Sequence, residues 1–489
     1  MIGAAGAGAS AAVLHAAWAG ATVDGCDPGG PSSYTEPIAS LDVPLAWEHA
    51  AAHVTRTPPP DRLAVTKALT AIAPDHPELA AARGAGIPIE PWQQVIADAA
   101  FGKRLIGVAG THGKSTTAGW LVHVLIEAGL DPSAFVGALL PASLTGGIGP
   151  ATARRGSGDA FVVEADEYAG NFDAYRPDVV LLTTIEWDHP DVFADREAVL
   201  SAFETWLRAV PEATLVANLG DDGVEALARR LADRPGPVIG IQLDGVDGAT
   251  PELRIRASSR PVAARAIDRV LTGSASIERR DNTHLALVDE RTGDRIGEAE
   301  LRLAGAHNAV NAAVVAGGAL ALGVPTDAIL AGLASFGGVG RRLERLGEAG
   351  GIVVYDDYGH HPTAIGATLG AIRQREPGRR VWAVYEPLTY HRTAAMLDQF
   401  ADVLATADAV AVADIWAGRD PDTTITSAAA LAGEVGRRRP DIPVAAPGSV
   451  EATADWLAGH VRPGDAVLVM GGGKSDRIGR RLLEALADR

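Results

Sequence analysis

The amino-acid sequence predicts an α/β protein of two to four domains, and three observations carry that expectation. The chain has 489 residues, more than one hydrophobic core can serve, because cores stop growing near ~250–300 residues. Three separate stretches alternate short apolar runs with helical patterns and glycine turns. The composition, 47% hydrophobic and 21% charged, is that of a globular chain.

The first block covers about the first hundred residues. Ile2 to Gly8 reads as a strand end followed by a glycine-rich turn, residues 9–19 as a helix and residues 21–25 as the next strand. The chain starts almost at the glycine turn, so the first strand is expected to be either very short or lost to a misassigned start codon. A second block opens at Lys103, with a buried strand over 104–109, a loop over 110–113 and an amphipathic helix over 114–128. Residues 161–164 and 179–184 are further apolar strands, each followed by polar or acidic residues, and in open α/β sheets ligands sit at such carboxyl ends. From about 237 to 303 the texture becomes alternating, with strand signals at 285–288 and 296–303 around a turn at 292–294, which predicts a β-rich flank. Residues 306–322 form a small-residue helix stopped by Gly323 and Pro325. After the glycine-rich stretch from Gly337 to Gly340, a third block begins with a strand over 352–355.

Charge and composition exclude several partners. The formal net charge of -18 argues against a nucleic-acid or anionic-membrane surface, which needs clustered Lys and Arg. No apolar run approaches the ~18–20 residues of a membrane span, and the Ala-rich start lacks a basic segment, its first Lys or Arg being Arg56. The only cysteine, Cys26, cannot form an internal disulfide. A reducing, cytoplasmic location is expected.

The strongest motif is Gly110-Thr111-His112-Gly113-Lys114-Ser115-Thr116-Thr117, set between a strand and a helix. Backbone N–H groups at a helix N-terminus face an anion, a Lys adds mobile positive charge, and a hydroxyl can ligate magnesium. Gly110 lies three residues before Gly113 rather than five, so this is a shortened phosphate loop. Lys is rare, with only Lys67, Lys103, Lys114 and Lys474, which makes a chance Lys here improbable. Glu164-Ala165-Asp166-Glu167 and Ile185-Glu186-Trp187-Asp188-His189 supply carboxylates and an imidazole at strand ends, suited to magnesium beside a nucleotide. His307-Asn308 with Asn311 reads, taken alone, as a helix cap. Arg341-Arg342 fits either a phosphate clamp at a hinge or two solvated arginines. Asp356-Asp357-Tyr358-Gly359-His360-His361-Pro362 puts acids, imidazoles and a phenol at one strand end, which suits a polar substrate. Gly471-Gly472-Gly473-Lys474 reads as a structural strand-to-helix turn.

The first six of these motifs, in this order and covering nearly the whole chain, resemble the Mur ligase family, and the turn from Ile2 to Ser10 with Gly25-Cys26-Asp27 is similar to the UDP-binding turn of its alanine-adding branch. The resemblance implies an α/β fold of three domains: an N-terminal Rossmann-like UDP-binding domain over 1–98, a central P-loop ATPase domain with a β-rich flank over 99–336, and a C-terminal Rossmann-like domain over 337–489 that brings the amino acid. It implies ATP and two magnesium ions, with UDP-N-acetylmuramate and L-alanine as substrates, no nucleic acid, no membrane insertion, and a monomer or weak dimer. Gly110, Thr111, His112, Gly113, Lys114, Ser115 and Thr116 would hold ATP, with Ser115 and Thr116 on one magnesium and Glu164 and His189 on the second. Asn308 would meet the adenine, and Arg342, Asp356 and Asp357 the nucleotide at the hinge. Gly3, Gly6, Gly8 and Asp27 would bind the UDP-sugar. Tyr358, His360 and Arg392 would surround the amino acid, with His360 as the base and Lys114, Glu164, His189 and His360 as the catalytic set.

One departure concerns the amino-acid pocket. Where the alanine-adding enzymes usually carry Gln-Pro-His, this chain reads Glu386-Pro387-Leu388, and His391 is expected to compensate for the missing imidazole. The absence of Lys from His189 through Ala213 disfavours relatives that use a carbamylated Lys. A murein tripeptide recycling ligase of the same family and a nucleotide-binding scaffold without turnover are the competing readings. Retention of Lys114, Glu164 and His189 speaks against the scaffold.

Overall fold

The protein is represented by a computed structural model that describes residues 1–243, 269–277, 283–289, 294–418, 420 and 422–488. The first block is built on short parallel segments. Gly25–Cys26 pairs with Leu45–Ala46, and Leu63–Val65 with Ile89–Pro91. Ile2 lies between the two pairs, bridging to Cys26 while its N–H donates to Ala64 O at 2.9 Å. The strand expected over 21–25 is formed only at its end, as Gly25–Cys26. Ala21 and Thr22 are exposed, so the apolar run there has no partner to bury it.

The helix Ala7–Trp18 starts earlier than expected. Gly3, at φ +78°, makes the turn, whereas Gly8 is already helical and is needed for packing, since a Cβ there would lie 2.2 Å from Trp92. This helix joins the first block to the second. Ser10 Oγ lies 3.2 Å from Thr152 Oγ1, and His15 Nε2 lies 2.9 Å from Ala134 O. A carbonyl only accepts, so His15 carries its proton on Nε2.

Burial lowers His15 from 6.5 to about 4, and His307 likewise. The unfolded chain therefore binds protons between pH 6.5 and 4 that the folded chain does not, so protons favour unfolding in that window. We expect stability to be complete above pH 6.5 and to fall as pH drops towards 4, by about 3 kcal/mol for each histidine. Urea midpoints at pH 7 and pH 5 check this, and His15→Gln should flatten the dependence.

The second block is a ten-stranded sheet whose order is Asp294–Leu301, Thr283–Asp289, Arg269–Ile277, Val238–Leu243, Thr214–Asn218, Val179–Leu182, Arg104–Ala109, Ala160–Ala165, Ser133–Leu140, Ala151–Arg154. The expected β-rich flank is its antiparallel edge, joined through Val238–Leu243 rather than standing apart. The turn expected at 292–294 falls largely outside the described residues. Along Arg104–Ala109 alternate side chains feed two cores: Ile106 and Val108 face one, Leu105 and Ala109 the other. The helix Ala306–Ala321 covers the first core and is small-residue for a steric reason. A Cβ on Gly317 or Gly318 would come within 2.8 Å of Val216 or Leu181.

The third block is a six-stranded sheet in the order Glu344–Ala349, Ile352–Asp357, Asp465–Gly471, Arg380–Glu386, Ala409–Ala413, Val444–Gly448, all parallel except the first pair. The antiparallel edge strand Glu344–Ala349 has no apolar run to announce it, since Glu344, Arg345 and Glu348 are charged and no residue in it is fully buried. No helix among the described residues is long and apolar enough to cross a membrane.

Candidate active site

The carboxyl ends of the central strands, the glycine turn of the first block and the Ile352–Asp357 strand end open onto one cavity of about 710 Å³. The phosphate loop forms its floor. Gly110 (φ +133°) and Gly113 (φ +83°) take conformations that favour glycine, and a Cβ would lie 2.2 Å from Thr183 Oγ1 at the first and 2.6 Å from Asn311 Oδ1 at the second. The Thr111 N–H donates to Thr184 O at 2.8 Å and the His112 N–H to Thr184 Oγ1 at 2.9 Å, which fixes the loop to the adjacent strand end.

Lys114, the first residue of the helix Lys114–Glu127, donates from Nζ to Gly110 O at 2.6 Å and to Glu167 Oε2 at 3.0 Å, and lies 3.4 Å from Asp166 Oδ1. Burial opposes its charge, but Glu167, Asp166 and Glu164 outweigh this and hold its pKa above the ordinary value. Burial pushes Glu167 up to about 7 despite Lys114. Ser115 Oγ donates to Glu164 Oε1 at 3.0 Å, and Glu164 Oε2 accepts from the Gly137 N–H at 2.6 Å. His189 joins Asp166 and Glu167 in a cluster whose ligand atoms lie within 4.8 Å of one another. The two expected metal-binding residues Glu164 and His189 thus belong to different groupings, Glu164 with Ser115 and His189 with Asp166 and Glu167.

The third block closes the opposite wall. Arg342 Nη2 donates to Ser115 Oγ at 2.9 Å across the domain boundary, and its guanidinium lies 5.1 Å from the centre of the Tyr358 ring. Arg392 reaches Asp188 Oδ1 at 2.7 Å and donates to His189 Nδ1 at 3.0 Å, so Nδ1 is the accepting nitrogen. The Nε of Arg392 has no hydrogen-bond partner among the described residues. Burial works against the Asp188 charge, but His189, Arg392 and the neighbouring histidines hold its carboxyl well below the usual range. His189 is itself strained at φ +56°, and burial lowers its pKa, leaving a neutral imidazole whose proton sits on Nε2 while Nδ1 is engaged by Arg392, so a metal would have to displace one of the two. His360 Nδ1 lies 2.9 Å from Tyr358 O and must donate to it, so Nε2 is unprotonated. Burial, then Arg392, hold the His360 pKa well below 6.5. Asp188 Oδ2, 3.9 Å from that Nε2, faces the charge that protonation would create.

Most of the residues expected from sequence line this cavity: Gly3, Gly6, Gly8, Asp27, the loop from Thr111 to Ser115, Glu164, His189, Arg342, Tyr358, His360 and Arg392. Five do not. Gly110 and Thr116, at the two ends of the loop-and-helix segment, are not on the cavity wall. Asn308 spends its amide on Ala304 O at 2.7 Å and accepts from Asn311, so it braces Gly113 from beneath. Asp356 accepts from Arg341 Nε at 2.9 Å, and Asp357 accepts from the Leu343 and Gly359 N–H groups. Both acids therefore hold the hinge and the following turn from inside. Asp188 and Trp416 also lie on the cavity wall; Asp188 is one of the strand-end carboxylates expected to suit magnesium, but Arg392 engages it instead. Asp188 stands beside His189 in a quoted motif, but Trp416 carries no local signal. The Gly471-Gly472-Gly473 turn is held by Gly471 O accepting from Arg341 Nη2, and Gly472 reaches the cavity wall, so the turn is not only structural.

His391 does not compensate for Leu388. Its Nδ1 lies 3.1 Å from Asp420 Oδ1, its side chain is 43% exposed, and it is not on the cavity wall, whereas Leu388 is. On the helix Tyr390–Ala395, neighbouring side chains leave in different directions, and Arg392 takes the inward one. We expect His391→Ala to leave the KM for the amino acid essentially unchanged, measured by phosphate release. A strong rise in KM would restore the compensation reading.

Comparison with known proteins agrees with this architecture. Residues 1–104 match the Mur ligase family catalytic domain, 108–319 the Mur ligase middle domain and 341–473 the Mur ligase glutamate ligase domain. The UDP-N-acetylmuramate–L-alanine ligase of Kineococcus radiotolerans is 37% identical over 496 residues, covering 100% of this chain and 96% of its own. That of Frankia casuarinae is 37% identical over 443 residues, covering 86% of this chain and 84% of its own. Among solved structures, the UDP-N-acetylmuramate-alanine ligase of Thermotoga maritima superposes with a TM-score of 0.75 at 22% identity over 99% of this chain and 97% of that one. A murein peptide ligase of Psychrobacter arcticus gives 0.70 at 23% identity, over 100% and 98%. With its three regions matched in order and relatives this similar over most of their length, the chain belongs to the Mur ligase family.

Proposed function

We propose that this protein is an ATP-dependent ligase that joins L-alanine to UDP-N-acetylmuramate, a step in peptidoglycan precursor synthesis for the cell wall. One observation carries the reading: a phosphate loop with a charged Lys114, the Gly3-to-Gly8 turn with Asp27, and the Arg392–His360 wall meet in one cavity. A ligase that condenses three substrates needs that convergence. The domain limits 1–98, 99–336 and 337–489 fit the end of the helix Trp92–Ala99 and the helix end at Phe336. The cavity is complete within one chain, which suits a monomer or weak dimer. A cytoplasmic location fits the single, buried and unpaired Cys26.

The phosphates of ATP lie on the N–H groups from Gly113 to Ser115, at the start of the helix, with Lys114 beside them and Arg342 over them; the Thr111 and His112 N–H groups are spent on Thr184. Asn308, through Asn311, and Asp356 and Asp357, through the hinge, act on the nucleotide only by holding the loop and Arg342 in place. Gly3, Gly6, Gly8 and Asp27 hold the UDP-sugar. Ser115 and Glu164 offer the hard oxygen donors that magnesium takes, and Asp166, Glu167 and His189 offer a second set. Two magnesium ions held there would neutralise charge on the transferring phosphoryl group.

The lactyl carboxylate attacks the γ-phosphorus and ADP leaves, giving an acyl phosphate. The amine of L-alanine then attacks the acyl carbon, phosphate departs with its bridging oxygen, and the amine loses a proton. His360 Nε2 is placed to take that proton, with Asp188 stabilising the imidazolium. Arg392, on the cavity wall, is the guanidinium that meets the amino acid's carboxylate. Phosphate release from ATP tests the reading: it should require both UDP-N-acetylmuramate and an amino acid, with L-alanine preferred over glycine, L-serine and the murein tripeptide. Release indifferent to both substrates would overturn the ligase reading, and a preference for the tripeptide would move it to the recycling branch.

A further inference from the structure

A cluster of metal-ligating side chains lies in the first block, around Glu78. Cys26 ends the strand Gly25–Cys26, and Glu78 lies in the first turn of the helix Pro77–Ala85. His49 and His53 flank the start of the short helix Ala52–Thr55, and His76 caps the Glu78 helix. Cys26 Sγ lies 3.4 Å from His49 Nδ1 and 3.2 Å from Glu78 Oε2, and His49 Nδ1 lies 3.8 Å from the same oxygen. A tetrahedral zinc with bonds of ~2.0–2.3 Å to nitrogen, oxygen and sulfur separates its ligands by roughly 3.3–3.7 Å. The three measured edges therefore already approximate one face of such a tetrahedron.

The alternative is that these residues only satisfy a buried carboxylate. Glu78, 1% exposed, does accept from His53 Nδ1 at 2.7 Å and the Ala50 N–H at 3.0 Å. That account leaves His76 unexplained. It is 8% exposed, neither ring nitrogen has a hydrogen-bond partner among the described residues, and it offers a ligand atom within 4.8 Å of those of His49 and Glu78. A buried imidazole with both nitrogens unused is costly, and a cation would use one of them.

We propose that Cys26, His49, His76 and Glu78 bind a borderline-soft divalent metal of the zinc class, with His53 holding the second carboxylate oxygen. The donor set selects the ion: a thiolate and imidazoles suit zinc, whereas magnesium takes oxygen. The site is separate from the phosphate loop and has a structural role. It ties three chain segments, at residues 26, 49 and 76–78, over a small apolar cluster that includes Val54, Leu63 and Leu79. Small cores gain most from such staples. It also fixes the residue that precedes Asp27. Burial and the neighbouring Glu78 carboxylate raise the Cys26 thiol pKa, so without metal the thiol keeps its proton, and metal binding would release it.

The test uses the full chain, dialysed against a chelator and titrated with cobalt(II) in excess magnesium, which occupies the oxygen-donor positions. The expected result is stoichiometric binding with the intense visible bands of tetrahedral cobalt and a near-ultraviolet thiolate-to-cobalt band. Cys26→Ser should lose the thiolate band, His76→Asn should lower affinity by ten-fold or more on the order of a lost ligand, and zinc should raise the unfolding temperature of the wild type more than that of either variant. His49→Asn provides an independent check should Cys26→Ser fold poorly. Octahedral spectra only, or binding and thermal shifts unchanged in the variants, would overturn the proposal.

Discussion

Lys114→Ala abolishes ligation while the protein remains folded. The ammonium stands at the start of the phosphate-loop helix and is held charged by Glu167, Asp166 and Glu164. In the proposed reaction it would move to the phosphates, where a positive charge in a water-poor site is worth about 3–4 kcal/mol, or ~100–1000-fold in kcat. The side chain is buried, so its removal strips a cation from a cluster of acids. Glu167, already at about 7, can take up a proton and relieve the repulsion, which is why the fold should survive. Product formation gives the first readout and the thermal midpoint the second. Activity near wild type would remove ATP from this loop.

The second large effect is expected at the Asp188–Arg392 pair. At 2.7 Å, with side chains 5% and 4% exposed, it is a buried ion pair between the second and third blocks. Removing one partner of such a pair costs ~3–5 kcal/mol, because the other charge is left buried and uncompensated. The two residues belong to different domains, so the cost falls on the docking of the third block and not on the core of either. Asp188→Asn should therefore lower kcat/KM by ~100-fold or more and enlarge the radius measured by small-angle scattering, while the thermal midpoint moves little. The Asp188 carboxyl titrates well below its ordinary value. A depressed acid contributes fully above the ordinary carboxylate range and loses its contribution only as pH falls through the depressed value. Docking should thus be insensitive to pH from 5 to 8, and an unchanged radius in Asp188→Asn would show that the pair does not hold the closed form.

Local chemistry made much of the site legible in the sequence. A buried strand, Gly-Lys-Ser and a helix in succession leave few alternatives to a phosphate loop, and acids directly after an apolar strand located Glu164. Strand bounds such as Arg104–Ala109 followed from apolar runs flanked by glycine or charge. What remained hidden is set by contacts distant in the chain. Asp188 gains its role from Arg392, about two hundred residues away. Asn308, Asp356 and Asp357 have the polarity of ligand-binding residues, yet their hydrogen bonds go inward to Ala304, Arg341, Leu343 and Gly359. His391 and Arg392 are adjacent in sequence, and only the helix orientation decides which faces the cavity. The Cys26 cluster is assembled from three segments with no shared motif.

The measurement that tests the central claim most directly uses UDP-N-acetylmuramate carrying heavy oxygen in its lactyl carboxylate, incubated with ATP and L-alanine. If the cavity forms an acyl phosphate that the amine then opens, mass spectrometry should show the L-alanyl product together with inorganic phosphate that has acquired a labelled oxygen from the sugar. Amide product with unlabelled phosphate, or ATP consumed with no amide formed, would contradict it.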